Sequence, residues 1–475
     1  MTVKFFLYCF WLIVFSAVLF FAVGCNSFGE RHIKIRNEFT DGKIDKAKSD
    51  VDKAIKNSSQ KDKDLLKLNS AIIELCSGRP ESAELLLREV RDKFDSLEQQ
   101  RAADAARNAA SLLTDDNTLA YSGEDYEKVL IRVFLAISNL MYNGTDAYAY
   151  AMQINDKQNK IIESRKKEVA DLSKNNHELV KRVEENYQNV AIGAYISGLL
   201  HEETKRNYDE AYRNYEKASL WASKEKFPNA YNFKDDIERV KTGLHSKSGN
   251  GVVYVFALAG KGPYKMQRNC QALHEAQIIT TAILSKFSDV AVIPDFAPIM
   301  IPVIVASNAN RFGYNFENLK SSVDVSIDGK FSGETKTITN ITEMAVEQFE
   351  ANEPEIIARA IVRRAFKKGV VYGVKKATDT NSWLSLALDV GGMVWESMET
   401  ADTRCWNLLP DTIQVYRVEV PIGEHEITLG YKTLADKQPP TQNNKKIIVR
   451  DGCNTYILAN FIDNKLIGEI IVNTP

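Results

Sequence analysis

The sequence predicts an α+β protein: helical hairpins through the first half, then a mixed domain whose C-terminal end forms an antiparallel β-sheet or sandwich. Three observations carry this. Between Cys25 and His245, alanines recur with bulky partners at helical spacing. At His245-Ser246-Lys247-Ser248-Gly249-Asn250-Gly251 that pattern stops in a polar, turn-rich stretch. From Ile413 onward the chain runs in short segments of alternating apolar and polar residues. The predicted units are a leader at 1–24, a helical domain at 25–245, a linker at 246–251 and a mixed domain at 252–475.

The leader sets the compartment. Lys4 precedes a run from Phe5 to Val23 that is apolar apart from Ser16, and the run closes Ala22-Val23-Gly24-Cys25. One cation, an apolar core and small residues before a cysteine make the pattern of a bacterial lipoprotein signal peptide. Cleavage then falls between Gly24 and Cys25, and Cys25 carries the lipid, with about 0.8 kcal/mol of membrane anchoring per buried methylene. An uncleaved transmembrane anchor is the competing reading, since about 20 apolar residues span a bilayer. Either places the remaining chain in the cell envelope. Asn26 predicts release to the outer membrane, facing the periplasm, because Asp at that position is the familiar retention signal.

Hydrophobic residues at 44% and charged residues at 26% give an ordinary globular composition. A net charge of −2 leaves no electrostatic footprint for nucleic acid. Of six cysteines, Cys9 lies in the leader and Cys25 is the lipid site. Cys76, Cys270, Cys405 and Cys453 are too few and too scattered for a disulfide scaffold, although an oxidising periplasm would permit a Cys405–Cys453 bridge.

In the helical half, Ala47, Val51 and Ala54 follow Gly42; Ala83, Leu87 and Val90 follow Gly78; Ala147, Ala151 and Ile154 follow Gly144; Ala211, Tyr215 and Ala218 follow Asn207. A spacing of four then three puts each set on one helix face. The alanine admits a neighbouring helix and the larger residues fill the groove. The region resembles the second-helix pattern of tetratricopeptide repeats, in an irregular array. Another helix is predicted after Tyr121-Ser122-Gly123-Glu124-Asp125-Tyr126-Glu127-Lys128-Val129, with its acidic residues decorating a solvated first turn. Across residues 156–190, Ile162, Val169, Asn176, Val183 and Val190 lie seven apart, with Leu172 and Leu179 between them. This predicts a long helix with a short coiled-coil-like seam, packed in its own chain or forming a homodimer.

In the mixed half, Val252 to Leu258 is a buried strand by composition. The Gly260-Lys261-Gly262-Pro263 loop after it lacks phosphate-loop spacing. Val290 to Ala306, with Pro294, Pro298 and Pro302, predicts extended chain, either crossing the core or exposed as an apolar loop. Asp324–Asp328 and Thr335–Thr339 are read as a hairpin. Ile341–Phe349, Pro354–Lys376 and Ser382–Glu399 are read as helices, with Pro354 at a first turn. Ile413–Val420, His425–Tyr431, Ile447–Arg450, Tyr456–Ile462 and Leu466–Val472 complete an antiparallel set, with His425 on an edge strand.

Three stretches together carry a resemblance: Tyr121 to Val129, Ala401-Asp402-Thr403-Arg404-Cys405-Trp406-Asn407-Leu408-Leu409-Pro410, and Pro421-Ile422-Gly423-Glu424-His425. With the lipid-site motif and helical repeats, they resemble a family of uncharacterised bacterial cell-envelope lipoproteins. The resemblance implies a repeat-like N-terminal half, an α+β C-terminal half and association with lipoprotein activators of peptidoglycan synthases, with no activity attached. Tyr121, Glu124, Asp125, Asp402, Arg404 and Trp406 are the candidate interface residues. Arginine can fork onto a carboxylate and tryptophan can fill a pocket, which suits a binding hot spot or a buried brace.

His201-Glu202 and His274-Glu275 begin like zinc-protease motifs, but Lys205 and Ile278 stand where a second histidine is needed. No catalytic residue, metal or cofactor is predicted. The expected function is a lipid-anchored adaptor that binds envelope proteins, including the peptidoglycan-synthesis machinery. The rivals are a cell-wall-modifying enzyme with its site in 252–410 and a lipid or glycolipid carrier.

Overall fold

The computed structural model describes residues 28–107, 119–172, 176–187, 189–203, 206–222, 229–271, 273–285, 296–306, 321–377, 401–433 and 442–474. Gly24, Cys25 and the whole leader lie outside these residues, as do the predicted helix at 382–399 and the start of the 290–306 stretch. Among the described residues the fold is mixed α+β with antiparallel sheets, and no helix is long and apolar enough to cross a membrane.

The helices pack as consecutive pairs: α1 (Phe28–Thr40) with α2 (Ile44–Asn57), α3 (Lys63–Cys76) with α4 (Pro80–Arg107), α5 (Asp125–Leu140) with α6 (Ala147–Leu172). After α7 (His177–Asn186), α8 (Ile192–Glu203) pairs with α9 (Tyr208–Ala222), and α10 (Lys234–Lys241) packs on α9. Each alanine set lies on the second helix of a pair, and all of its members are buried. Gly42, Gly78 and Gly144 sit between the paired helices at φ of +80°, +76° and +72°, the left-handed conformation that ends a helix cheaply only at glycine.

The seam at 156–190 is not one helix. Asn176, read as a polar seam position, instead caps α7, its Oδ1 accepting the amides of Glu178 at 3.0 Å and Leu179 at 3.4 Å. That breaks the helix and folds α7 back onto α6 and against α12 (Ile341–Ala377). Val169, Leu179, Val183 and Val190 are buried within the chain itself, so the seam is filled from inside.

The mixed half contributes β1 (Asn250–Ala259), β2 (Tyr264–Cys270), α11 (His274–Leu284), β3 (Ile299–Val305), β4 (Ser321–Ile327), β5 (Lys330–Glu334) and β6 (Lys336–Asn340) before α12. β7 (Thr412–Pro421), β8 (Gly423–Thr433), β9 (Gln442–Val449), β10 (Asn454–Ile462), β11 (Lys465–Leu466) and β12 (Ile471–Asn473) follow it. One sheet has the order β11-β10-β1-β7-β6, with β12 also on β10; a second has the order β5-β4-β8-β9; β2 and β3 form a third, two-stranded sheet. β1 lies between β10, to which it is parallel, and β7, to which it is antiparallel, while β8 and β9 belong to the second sheet, so the C-terminal strands are not one antiparallel set. Parallel pairing is non-local and leaves no turn signature in the sequence.

Three layers result. Val252, Tyr254, Phe256 and Leu258 pack with the helices, while Val253, Val255, Ala257 and Ala259 pack with β4, β8 and β9. Alternate side chains of β1 thus serve opposite layers, and a strand buried on both faces reads as an unbroken apolar run. The helical half and the central sheet share one continuous hydrophobic core. Residues 246–251 are built into the fold: Lys247 N donates to Glu419 Oε1 at 2.7 Å, and Gly249 N donates to Asp451 Oδ1 at 2.9 Å.

Other expectations change in detail. The hairpin partner of β4 is β5, because Asp328 and Gly329 (φ +49° and +75°) form a two-residue turn of the twist hairpins prefer, while β6 leaves to pair with β7. α12 runs unbroken through Pro354. The carbonyl that loses its helical partner there belongs to Glu350, which is exposed and can bond water. His425 stands near the start of β8, an inner strand, and its Nδ1 lies 2.7 Å from Asp328 Oδ2. Within the described residues 296–306, β3 is buried at Ile299 and Ile301 and packed on α12, whereas Phe296 before it is 38% exposed. Cys76, Cys270, Cys405 and Cys453 are all free thiols, so Cys405 and Cys453 form no bridge.

Candidate functional site

The segment 402–409 lies along the first helices of the first three pairs. Asn407 Nδ2 donates to the His32 carbonyl of α1 at 3.3 Å. Arg404 Nη1 donates to Asp62 Oδ1, just before α3, at 3.0 Å. Trp406 N donates to Glu127 Oε1 of α5 at 2.7 Å, and its ring sits 5.5 Å from that of Phe134. A surface that a helical-repeat array would offer to a partner is here filled by the chain's own strap.

Five of the six candidate interface residues meet in this junction. Arg404 forks onto Asp402, Nε to Oδ1 at 2.9 Å and Nη2 to Oδ2 at 2.8 Å, and its guanidinium lies 5.5 Å from the Tyr121 ring centre. The Tyr121 hydroxyl donates to Glu127, and Glu124 pairs with Lys265. Trp406 is fully buried, with Tyr121 and Arg404 nearly so. These side chains find their charged and aromatic partners inside the protein, so they form an internal joint where the sequence offered an interface. Glu124 keeps partial exposure.

Asp125 points the other way. Its Oδ2 takes Arg165 Nε at 2.6 Å and the Tyr187 hydroxyl at 3.0 Å. Arg165 also reaches Glu168 at 2.9 Å, and Arg359 of α12 bridges Glu168 at 3.0 Å and Glu355 at 2.6 Å. This partly buried network ties α5, α6 and α12 to Tyr187 at the end of α7. Burial opposes ionisation of Asp125, but Arg165 and Lys128 outweigh it and hold the carboxyl well below the usual carboxylate range.

Asp125 and Glu127 are buried, so they do not decorate a solvated helix start. Glu127 accepts from Trp406 N, the Tyr121 and Tyr126 hydroxyls and Glu124 N, the last at 3.1 Å. Burial first, then the charge of Glu124, raises its pKa. Sequence reasoning missed Asp62, Glu127, Arg165 and Lys265 as members of these clusters. The one available signal was Arg165 itself, a charge interrupting an apolar seam. Burial pushes the Cys405 thiol up to about 12, which makes it a poor nucleophile.

A small cleft lies beside the joint, lined by Arg36, Gly260, Lys261, Gly262, Asn407, Leu409 and Asn460. At about 10 Å³ it has room for one water molecule. Gly262 N donates to the Leu409 carbonyl at 2.9 Å, Arg36 Nη2 donates to the Gly262 carbonyl at 2.9 Å, and Lys261 pairs with Asp463. The glycine loop is thus closed by its own contacts. Among the described residues, no three His, Cys, Asp or Glu side chains are grouped to hold a metal ion. His201 lies 3.2 Å from the Tyr148 hydroxyl, and Glu202 is held by Arg239 and Tyr215 at 2.8 Å each.

No family model, curated protein or solved structure matches the chain.

Proposed function

We propose that the chain is a non-enzymatic envelope lipoprotein, cleaved after Gly24, acylated at Cys25, and acting as an adaptor between envelope proteins. The helical half is read as a short, irregular tetratricopeptide-like array. The observation that carries this reading is the burial of every alanine set on a second helix, which builds an extended helical layer.

The strap at 402–409 closes the inner side of that layer, which directs a partner to the outer faces. Leu85 on α4 and Met152 on α6 are 59% and 41% exposed there, on helices bridged by Arg91 and Gln153 at 3.1 Å. A photo-crosslinking residue at position 85 or 152 in living cells should capture a defined envelope protein, including members of the peptidoglycan-synthesis machinery. Capture of nothing, together with peptidoglycan cleavage by the purified protein, would overturn the reading in favour of an enzyme.

A further inference from the structure

α1 and α2 are antiparallel, so the start of α1 and the end of α2 share one end of the helical layer, where α3 also begins. At this end the carboxylates turn inward. Asp62 is taken by Arg404 at 3.0 Å and Asp64 by Lys67 at 3.7 Å, and both acids are buried. The cations turn outward. Lys56 in the last turn of α2 and Lys53 before it are exposed, Lys53 with Asp50 3.6 Å away, and Arg31, Lys61 and Lys63 are partly exposed. Ile33, 58% exposed, stands on the same first stretch of α1. Acids share the surface too: Glu30, Asp52, which Lys48 holds at 3.3 Å, and Glu89 of α4, which Lys67 holds at 2.5 Å. Asp50 is engaged by Lys34 at 2.5 Å.

We propose that this basic end rests on the bilayer surface and binds anionic phospholipid headgroups, so that the body stands on the membrane in one orientation. The inference rests on the lipid anchor at Cys25. Asn26 and Ser27 alone separate Cys25 from α1, a reach of about 10 Å. That matches the screening length of roughly 8–10 Å at physiological salt, so the start of α1 is held within electrostatic range of headgroup phosphates. α1 is fixed in the core by Ile35 and Phe39, so the short tether also fixes which face meets the lipid. A lipid chain plus a basic patch is one of the two-signal combinations that give stable membrane attachment.

The test uses the full chain, with Cys270→Ser and Cys453→Ser, in vesicles of phosphatidylcholine alone or mixed with phosphatidylglycerol. A fluorophore is placed at Lys56→Cys or, on the far sheet, at Lys330→Cys, and the vesicles carry a headgroup quencher. In the mixed vesicles, quenching at position 56 should exceed that at 330 by about threefold or more. It should fall to the level at 330 in about 0.5 M salt and in the Arg31→Glu, Lys53→Glu, Lys63→Glu variant. Arginine at 53 and 63 should preserve it. Flotation with both vesicle types but equal quenching at the two positions would overturn the headgroup contact and leave the anchor standing. Flotation with mixed vesicles only, with quenching at 56, would remove the anchor and keep the contact. No flotation with either would remove both.

Discussion

The amide of Trp406 donates to Glu127 Oε1 at 2.7 Å, although 279 residues separate them in sequence. This bond pins the strap to α5 beneath Phe134. Trp406→Ala leaves a large void in a fully buried site and should cost about 3–5 kcal/mol in urea unfolding. Glu127→Gln should cost about 1–3 kcal/mol, because an amide group then meets the donors that the carboxylate accepted.

Arg404 neutralises two carboxylates, Asp62 and Asp402, in a buried position. Arg404→Met should cost about 3–5 kcal/mol by leaving them uncompensated. Arg404→Lys should recover less than half of that, since an ammonium cannot reproduce the planar fork. Adding Asp62→Asn and Asp402→Asn to Arg404→Met should restore part of the loss, read as a coupling energy in denaturant melts.

The segment between β11 and β12 crosses the turns of the helical pairs. A Cβ on Gly468 (φ +86°) would fall 1.9 Å from the Cys76 carbonyl oxygen, whereas one on Gly144 (φ +72°) would meet nothing within 4 Å. Gly144→Ala should therefore cost about 1–2 kcal/mol, from the left-handed backbone alone. Gly468→Ala should cost clearly more and lower the thermal midpoint further, because backbone on both sides must move.

His32 and Asp411, which flank the strap, act oppositely on stability against pH. Burial lowers the His32 pKa to about 4, with Asp62 partly offsetting it, so its contribution is lost as pH falls from about 6.5 toward 4. Burial raises the Asp411 pKa to about 6, against the Thr342 hydrogen bond, so its contribution is lost as pH rises from about 4 to 6. Between pH 4 and 6 the two slopes oppose each other, each at most about 1.4 kcal/mol per pH unit. Relative to the native chain, Asp411→Asn should gain stability with rising pH in that window and His32→Gln should lose it, measured by denaturant titration at each pH.

What the sequence disclosed was local. The alanine sets and the β1 run are periodic within one element, and spacing alone places them on a buried face. What it concealed depends on distant chain. Nothing near Arg404 indicates that Asp62 will meet it, and nothing near β1 names β10 as its parallel neighbour. Arg165 broke an apolar pattern because its partners, Asp125 and Glu355, come from α5 and α12. Asn176 belonged to a heptad by count, yet its side chain competes for backbone amides and ends the helix. Pro354 was misplaced because a proline that suits a first turn is also tolerated where water can serve the freed carbonyl.

The place of β1 has a consequence for biogenesis. A polypeptide synthesised from its N-terminus delivers residues 250–259 long before 412–421 and 454–462, the two segments that flank them. Until residues 412–421 emerge neither flanking strand is there to pair with the apolar ribbon, and until residues 454–462 emerge its second edge stays open. The central sheet therefore closes only once the last strands are made, and a nascent chain stalled before residue 454 would be a client for chaperones and proteases.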